Sequence, residues 1–412
     1  MWYNNNKGCV RMYKFVCNVK KEEYDDFVKN YSMASFMQDY NWGNVKNNWD
    51  CYRCGIYNDN KLVSVTLILY KKIIKRFNIF YIPRGFLIDY TNKELLKFMT
   101  LKVKELASRH NAFLVKIDPN FCISDDLLNS NFEIAHNYSN NYKLKHNNLV
   151  ELGYKYNGIK ENMHDNFQPQ YNMVVPLIDN ENNILSIDEF KSRFKSKFKY
   201  YLDDYLVNRG VTFKISNNIQ DIPDFVRLLN CTEDRNNIKL RDEKYFERIL
   251  NNYKENAFMI FGIIDLKKYL KYLKNNNIEN KDDEEIIKVK ELLQNQTKIK
   301  LSCGLVILPS NKKGIRTSEY LYAGNDLNLK KIRISQGLVF EILKISIKNK
   351  CHYCNLGGVD GSLNDNLSKF KSKFLPQLFI FTGEYDLVIN KFVYKLYNIT
   401  LKSLKKIKSL KK

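Results

Sequence analysis

The chain has 412 residues, 44% of them hydrophobic and 14% aromatic, which excludes a disordered or fibrous protein and argues for two domains, or three at most. Lys and Arg number 67 against 45 acids, a formal net charge of +22. That balance favours a polyanionic partner such as nucleic acid, an anionic membrane surface or a phosphorylated ligand, unless it records only a bias toward Lys, Asn and Ile.

The N-terminal stretch MWYNNNKGCVRMYKF has no apolar h-region, and no segment has the ~18 uncharged apolar residues of a membrane span. The nine scattered cysteines fit free thiols in a reducing compartment, so a cytosolic protein is expected. YRCGIYNDNKLVSVTLILY predicts two strands around an Asn-Asp-Asn turn, and FNIFYIPRG a third strand closed by Pro83. Thr91 and Glu94 have capping-box spacing before a helix through LLKFMTLKVKELASRH. AFLVKIDP reads as a buried strand ended by Pro119.

A second unit begins near QPQYNMVVPL. Ser186 and Glu189 form another capping box. Phe190, Phe194, Phe198 and Leu202 follow at i, i+4 spacing and predict one amphipathic helix stopped by Gly210. The pentapeptide FKSKF lies in it at 194–198, with Lys195, Lys197 and Lys199 on a solvated basic face. Residues 266–296 read as a helical hairpin with few aromatics, a projecting arm outside the core. Strands around KLSCGLVIL and SEYLYAG follow, then a helix around GLVFEILKISIKN and the loop LGGVDGS. FKSKF recurs at 370–374, between Asn364–Asn366 and Pro376, with no long helical stripe around it. The acid-free tail FVYKLYNITLKSLKKIKSLKK suits contact with tRNA or anionic lipid as well as it suits a solvated tail.

Two CxxC pairs, Cys51–Cys54 and Cys351–Cys354, raise the question of zinc. Residues i and i+3 of a strand point to opposite faces, and no histidine neighbours the first pair, so no metal is expected. The histidines form no HExxH pattern, and His352 reads as a surface or core residue. GxSxG, Walker and GxGxxG loops are absent. LGGVDGS offers backbone amides to an anion or is simply a glycine turn. RISQGLVF approaches an acyl-CoA pyrophosphate loop with the wrong spacing. Pattern alone reaches a basic, cytosolic, two-domain α/β protein with a polyanionic partner.

Eight stretches in order carry more. SFMQDYNWGNVKNNW contains Gln38, Trp42, Lys46 and Trp49; VKIDP surrounds Asp118; QPQYNMVVPL follows; LRDEKYF holds Arg241, Tyr245 and Phe246. EYLYAG, LGGVDG, the Phe370–Lys371 pair and TGEYDL complete the set. Together they resemble the FemABX family, peptidyl transferases that use aminoacyl-tRNA to build peptidoglycan cross-bridges. The resemblance implies an α/β (α+β) fold of two GNAT-like domains in tandem with a short helical-hairpin insertion. The first domain would comprise 1–169 plus 380–412, and the second 170–379, with the arm at 266–298.

It further implies transfer of an amino acid from aminoacyl-tRNA to the position-three side-chain amine of a muramyl-pentapeptide precursor, UDP-linked or lipid II. No cofactor beyond the tRNA co-substrate is expected. A monomer in the cytoplasm, touching the inner face of the membrane peripherally, fits that role. By the same resemblance Lys46 and Arg241 take the precursor's diphosphate, and Trp49, Tyr245 and Tyr322 shape its cleft. Lys371 is the cation facing the developing oxyanion, with Phe370 fixing the strand or turn that presents it. Asp118 belongs to the site as a base, as a strand-end cap, or as an orienter of the peptide stem. The chain departs from the family at Phe113, where some relatives carry a cleft tyrosine, and at Asn355, which replaces an acid that often precedes the Leu-Gly-Gly stretch. Two other classes stay open: a non-catalytic RNA-binding protein that uses the charge, and an acyl-CoA N-acetyltransferase.

Overall fold

A computed structural model describes residues 3–4, 10–74, 76–128, 134–135, 141–236, 241–276 and 284–410. The chain forms two units, the first from residues 1–173, 310–314 and 358–412, the second from 174–309 and 315–357. Segment 358–379, which carries the second FKSKF and was expected in the second domain, thus falls in the first unit.

Seven strands make the main sheet of the first unit, in the order Tyr154–Tyr156, Tyr385–Val388, Ala112–Ile117, Phe77–Ile82, Lys61–Ile74, Asp50–Asn58, Tyr13–Val16. Ala112–Ile117 lies buried along its whole length. It runs parallel to Phe77–Ile82 and antiparallel to Tyr385–Val388. A parallel neighbour requires a crossover, and helix Lys93–Arg109 supplies it. Its Leu96, Met99 and Val103, at i, i+3 and i+7, pack on the sheet beside Ile82, Val115 and Ile117. Each such burial contributes about 1.5–3 kcal/mol. The cap of this helix is Asn92, whose side chain accepts from Leu95 N, and not Thr91, which instead binds Asp89 Oδ1.

Beyond the sheet's other face lies helix Lys391–Leu410, so the basic tail is docked in its first turns. Asn390 Oδ1 accepts from Val393 N, and Val393, Tyr394 and Tyr397 pack over Ile79, Phe113 and Leu114. Phe113 is fully buried with its ring 5.1 Å from that of Tyr397. It is therefore a core residue, and its lack of a hydroxyl removes nothing from a cleft. In the same unit Gln377–Phe381 pairs antiparallel with Cys122–Leu128.

The second unit orders its strands Val211–Ser216, Ala257–Asp265, Lys298–Ile307, Thr317–Asn325 and Tyr353–Val359. The first four are antiparallel, and the last runs parallel to Thr317–Asn325 across the crossover helix Ser335–Lys348. Helices Leu266–Asn276 and Glu284–Asn295 form the expected hairpin, but it does not project. Leu266, Tyr269, Leu273, Ile286 and Val289 are buried together with Ile264, Ile299, Leu301 and Ile332. Both helices carry an apolar stripe, and that stripe closes over the end of the sheet.

The Ser186–Glu189 capping box forms on both sides. The single long helix after it does not. Ile187–Ser192 ends, Lys195 is extended at φ −61 and ψ 150, and Ser196–Tyr200 starts a new helix that widens into a π turn at Tyr201–Tyr205. Gly210, at φ +73, closes the run. The rings of Phe190, Phe194 and Phe198 still follow one another at 5.2 and 4.7 Å, anchored on Phe340. Apolar spacing reports a shared face, not an unbroken hydrogen-bond ladder.

Candidate active site

Asp118 follows the last residue of Ala112–Ile117, where Pro119 ends the strand. Its Oδ1 accepts from Arg84 N at 2.7 Å and its Oδ2 from the Tyr81 hydroxyl at 3.1 Å. Burial pushes the carboxyl up to about 7; nearby Glu384 adds to this, while Arg84 opposes it. Arg84 holds a left-handed backbone at φ 59, a conformation costing a non-glycine residue about 1–2 kcal/mol. Its amide bond to Asp118 and its guanidinium, 4.3 Å from the Phe381 ring centroid, offset that cost. Gln38 fixes the turn from behind. Its Nε2 donates to Pro83 O at 2.7 Å and to Leu67 O, while its Oε1 accepts from Leu67 N.

Beside Asp118 stands a buried ion cluster. Lys116 Nζ lies 2.5 Å from Glu384 Oε2 and 2.7 Å from Asp386 Oδ1. Lys116 and Asp386 face each other across an antiparallel strand pair. The two carboxylates raise the lysine above its ordinary value and keep it charged despite burial, the largest influence and one that acts the other way. Glu384 Oε1 also accepts from Phe167 N at 2.6 Å, and Gln168 Nε2 donates to the Tyr81 hydroxyl at 3.3 Å. Segment 167–169 is thereby held against Asp118.

The same segment reaches Lys371. Pro169 presses on Gly358 so closely that a Cβ there would lie 2.3 Å from the proline Cβ. Gly358 O accepts from Lys371 Nζ at 2.9 Å. Lys371 ends helix Asn366–Lys371, which Asp365 caps by accepting from Leu367 N and Ser368 N. A helix end, not a strand or turn, therefore presents the lysine. Half-buried Phe370 sets its ring edge-on to buried Phe374 at 5.6 Å. Burial lowers Lys371 to about 7, with Asp365 pulling the other way.

Lys46 and Trp49 share one turn, with Trp49 N donating to Lys46 O at 2.8 Å. The Lys46 ammonium sits 4.8 Å from the Trp42 ring centroid. The Trp49 ring stands 6.2 Å from that of Tyr81, with Lys71 4.4 Å above it. Trp49 thus abuts the phenol that binds Asp118.

Within the second unit, Arg241, Tyr245 and Tyr322 come together. Asp242 caps helix Glu243–Tyr253 by accepting from Tyr245 N, so it serves the helix end beside exposed Arg241. The Arg241 guanidinium is 5.2 Å from the Tyr245 ring centroid, and Arg248 approaches the same ring at 5.9 Å. Strand Thr317–Asn325 supplies Tyr322, whose hydroxyl donates to that of buried Tyr245 at 3.2 Å. Desolvation and the second phenol push Tyr245 well up, so it stays neutral. A planar cation beside the buried, neutral phenol of Tyr245 is suited to a bidentate oxyanion ligand.

Asn355, buried, accepts from Gly357 N at 2.8 Å and shapes the loop there. His352 Nδ1 accepts from Arg316 N, a structural role. Among the described residues no cluster of three or more His, Cys, Asp or Glu side chains is placed to hold a metal. Tyr81, Arg84, Lys116 and Glu384 do not stand out in the sequence as site residues. By itself IPRG reads as a strand stop and TGEYDL as one motif in an order, although a glycine soon after a proline is a turn signal.

The FemAB family model matches residues 19–314 and 279–402. The lipid II:glycine glycyltransferase of Staphylococcus epidermidis is 26% identical over 419 residues, covering 92% of this chain and 94% of that protein. The protein of the same name from Staphylococcus aureus is 25% identical over 426 residues, with the same coverage of 92% and 94%. Among solved structures, the crystal structure of FemX superposes with a TM-score of 0.73 at 23% identity, over 93% of this chain and 99% of that one. The fold is therefore the mixed α/β fold of FemX.

Proposed function

The chain belongs to the FemAB family, and from that premise we propose that it transfers an amino acid from aminoacyl-tRNA to the position-three side-chain amine of a peptidoglycan precursor. The named relatives act on lipid II with glycine, which supports a lipid-linked acceptor met at the membrane surface. No described helix is long and apolar enough to cross a membrane. The observation that carries the reading is the buried pair Asp118 and Lys371, held near neutrality in one unit and joined through Tyr81, Gln168, Pro169 and Gly358.

In the proposed step the precursor's amine attacks the ester carbonyl. A C–N bond forms, the ester C–O bond breaks, and the ribose oxygen leaves with a proton. Asp118, ionised, accepts the proton that the amine sheds. Lys371, charged, faces the carbonyl oxygen as it becomes an oxyanion, a contribution of ~3 kcal/mol if it matches one oxyanion-hole donor. Phe370 and Phe374 hold the helix end that carries it. In the first unit Lys46 is the cation offered to the precursor's diphosphate, with Trp49 beside it, and in the second unit Arg241 with Tyr245 and Tyr322 offers a place for an oxyanion of its own.

The test mixes purified protein with Gly-, Ala- or Ser-tRNA and either a UDP-linked or a lipid-linked precursor, and reads the mass of the product. One added residue is expected. Salt-sensitive tRNA binding without transfer from any donor to either acceptor would overturn the reading in favour of an RNA-binding protein.

A further inference from the structure

Helix Lys391–Leu410 has two apolar faces, and the fold accounts for one of them. Val393, Tyr394 and Tyr397 form the inner face over Ile79, Phe113 and Leu114. On another side Phe392, Leu396 and Ile399 are exposed by 72%, 47% and 53%. Their spacing of four and three puts them on one line along the helix. Exposed Lys391 and Lys395 flank it. Residues 391–410 hold six lysines and no acid.

An apolar line beside lysines on a helix lying against its own domain has the composition of an interfacial helix. We propose that this face docks the first unit on the surface of an anionic bilayer, with Phe392, Leu396 and Ile399 entering the headgroup–acyl boundary and the flanking lysines meeting lipid phosphates. Charge selects this occupant. A bound tRNA would use the lysines and leave the apolar line in water, whereas a bilayer takes both. A protein groove would have to be apolar and acidic together. The inference rests on the lipid-linked acceptor proposed above, and gives that acceptor a reason to meet the unit that carries Asp118 and Lys371.

The test is co-sedimentation of the full chain with vesicles of phosphatidylcholine alone or mixed with phosphatidylglycerol. Binding to the mixed vesicles, weakened by salt, is expected. The triple variant F392S/L396S/I399S, which leaves the inner face of Val393, Tyr394 and Tyr397 intact, should partition about tenfold or more less strongly. K391E/K395E should lose the preference for phosphatidylglycerol. Transfer to a soluble UDP-linked precursor should not change in the triple variant, while transfer to a precursor embedded in vesicles falls with its binding. Failure of wild type to bind mixed vesicles, or equal binding by the triple variant, overturns the proposal. So does a triple variant that instead loses tRNA. Vesicle binding without transfer to any acceptor would leave the docking face standing and remove the proposed reaction.

Discussion

The two FKSKF pentapeptides carry the same letters into different surroundings. At 194–198 the second residue, Lys195, precedes the helix Ser196–Tyr200 and is exposed, while Phe194 is buried against Phe340. At 370–374 the helix begins earlier, at the Asp365 cap, so Lys371 is the last helical residue and is turned inward onto Gly358 O. The position of the cap sets the phase of the helix, and the phase decides which side chain leaves water. Burial then does what the letters cannot, lowering one lysine to about 7. For Lys195 the surroundings are solvent.

The comparison is sharpened most by removing the carboxylate that the contact chain joins to the second copy. Asp118→Asn should lower single-turnover transfer by about a hundredfold to a thousandfold, in the range of a lost general base. The pH profile carries the sign. Asp118, raised to about 7, must be ionised, so the rate climbs as pH rises through neutrality. Lys371, lowered to about 7, must be charged, so the rate falls as pH rises further. The wild type should peak near neutral pH. Asp118→Asn should lose the rising limb, and a rising limb that survives the substitution would detach Asp118 from the chemistry.

A smaller effect is expected from the contact between these residues. Gly358→Ala would set a Cβ 2.3 Å from Pro169, forcing the carbonyl that orients Lys371 to move. Transfer should slow by about tenfold or more, since a displacement near 1 Å is costly at a reacting centre. An alanine variant with unchanged kcat would break the proposed link.

The smallest effect has the opposite direction. A lysine whose folded pKa is depressed works against the native state throughout the range where the unfolded lysine is charged, and most fully below about 7. Lys371→Met should therefore raise the melting temperature at pH 7 by about 2 °C or more while impairing transfer, with the gain fading as pH rises toward the ordinary lysine range. Lys195→Met, exposed, should leave the melting temperature where it is. Equal melting shifts would mean that the two environments do not differ.

Much of the fold was legible because it depends on local patterns. The hairpin of Asp50–Asn58 and Lys61–Ile74, the Ser186 box and the helix stop at left-handed Gly210 were legible from neighbours in the chain. The motif order was legible for the same reason, and it led to Asp118 and Lys371. What escaped depends on distance. Lys116 meets Glu384 and Asp386 across 268 and 270 positions, and no local window contains that pairing. The hairpin at 266–296 looked like a free arm because its stripes have few aromatics, yet Leu273, Ile286 and Val289 find a core. The break at Lys195 was hidden because the phenylalanine ladder runs through it. Arg84 went unread because nothing local says that an arginine holds a positive φ to give its amide to a carboxylate.

The central claim is that the second copy's lysine acts on the transferred carbonyl and the first copy's does not. Its most direct test is single-turnover transfer from charged tRNA in Lys371→Met and Lys195→Met, with tRNA binding measured on the same preparations. The account predicts a loss of about a hundredfold or more for Lys371→Met with tRNA affinity retained, and near wild-type transfer for Lys195→Met. Equal losses in the two variants, or a loss at Lys371 explained entirely by weaker tRNA binding, would contradict it.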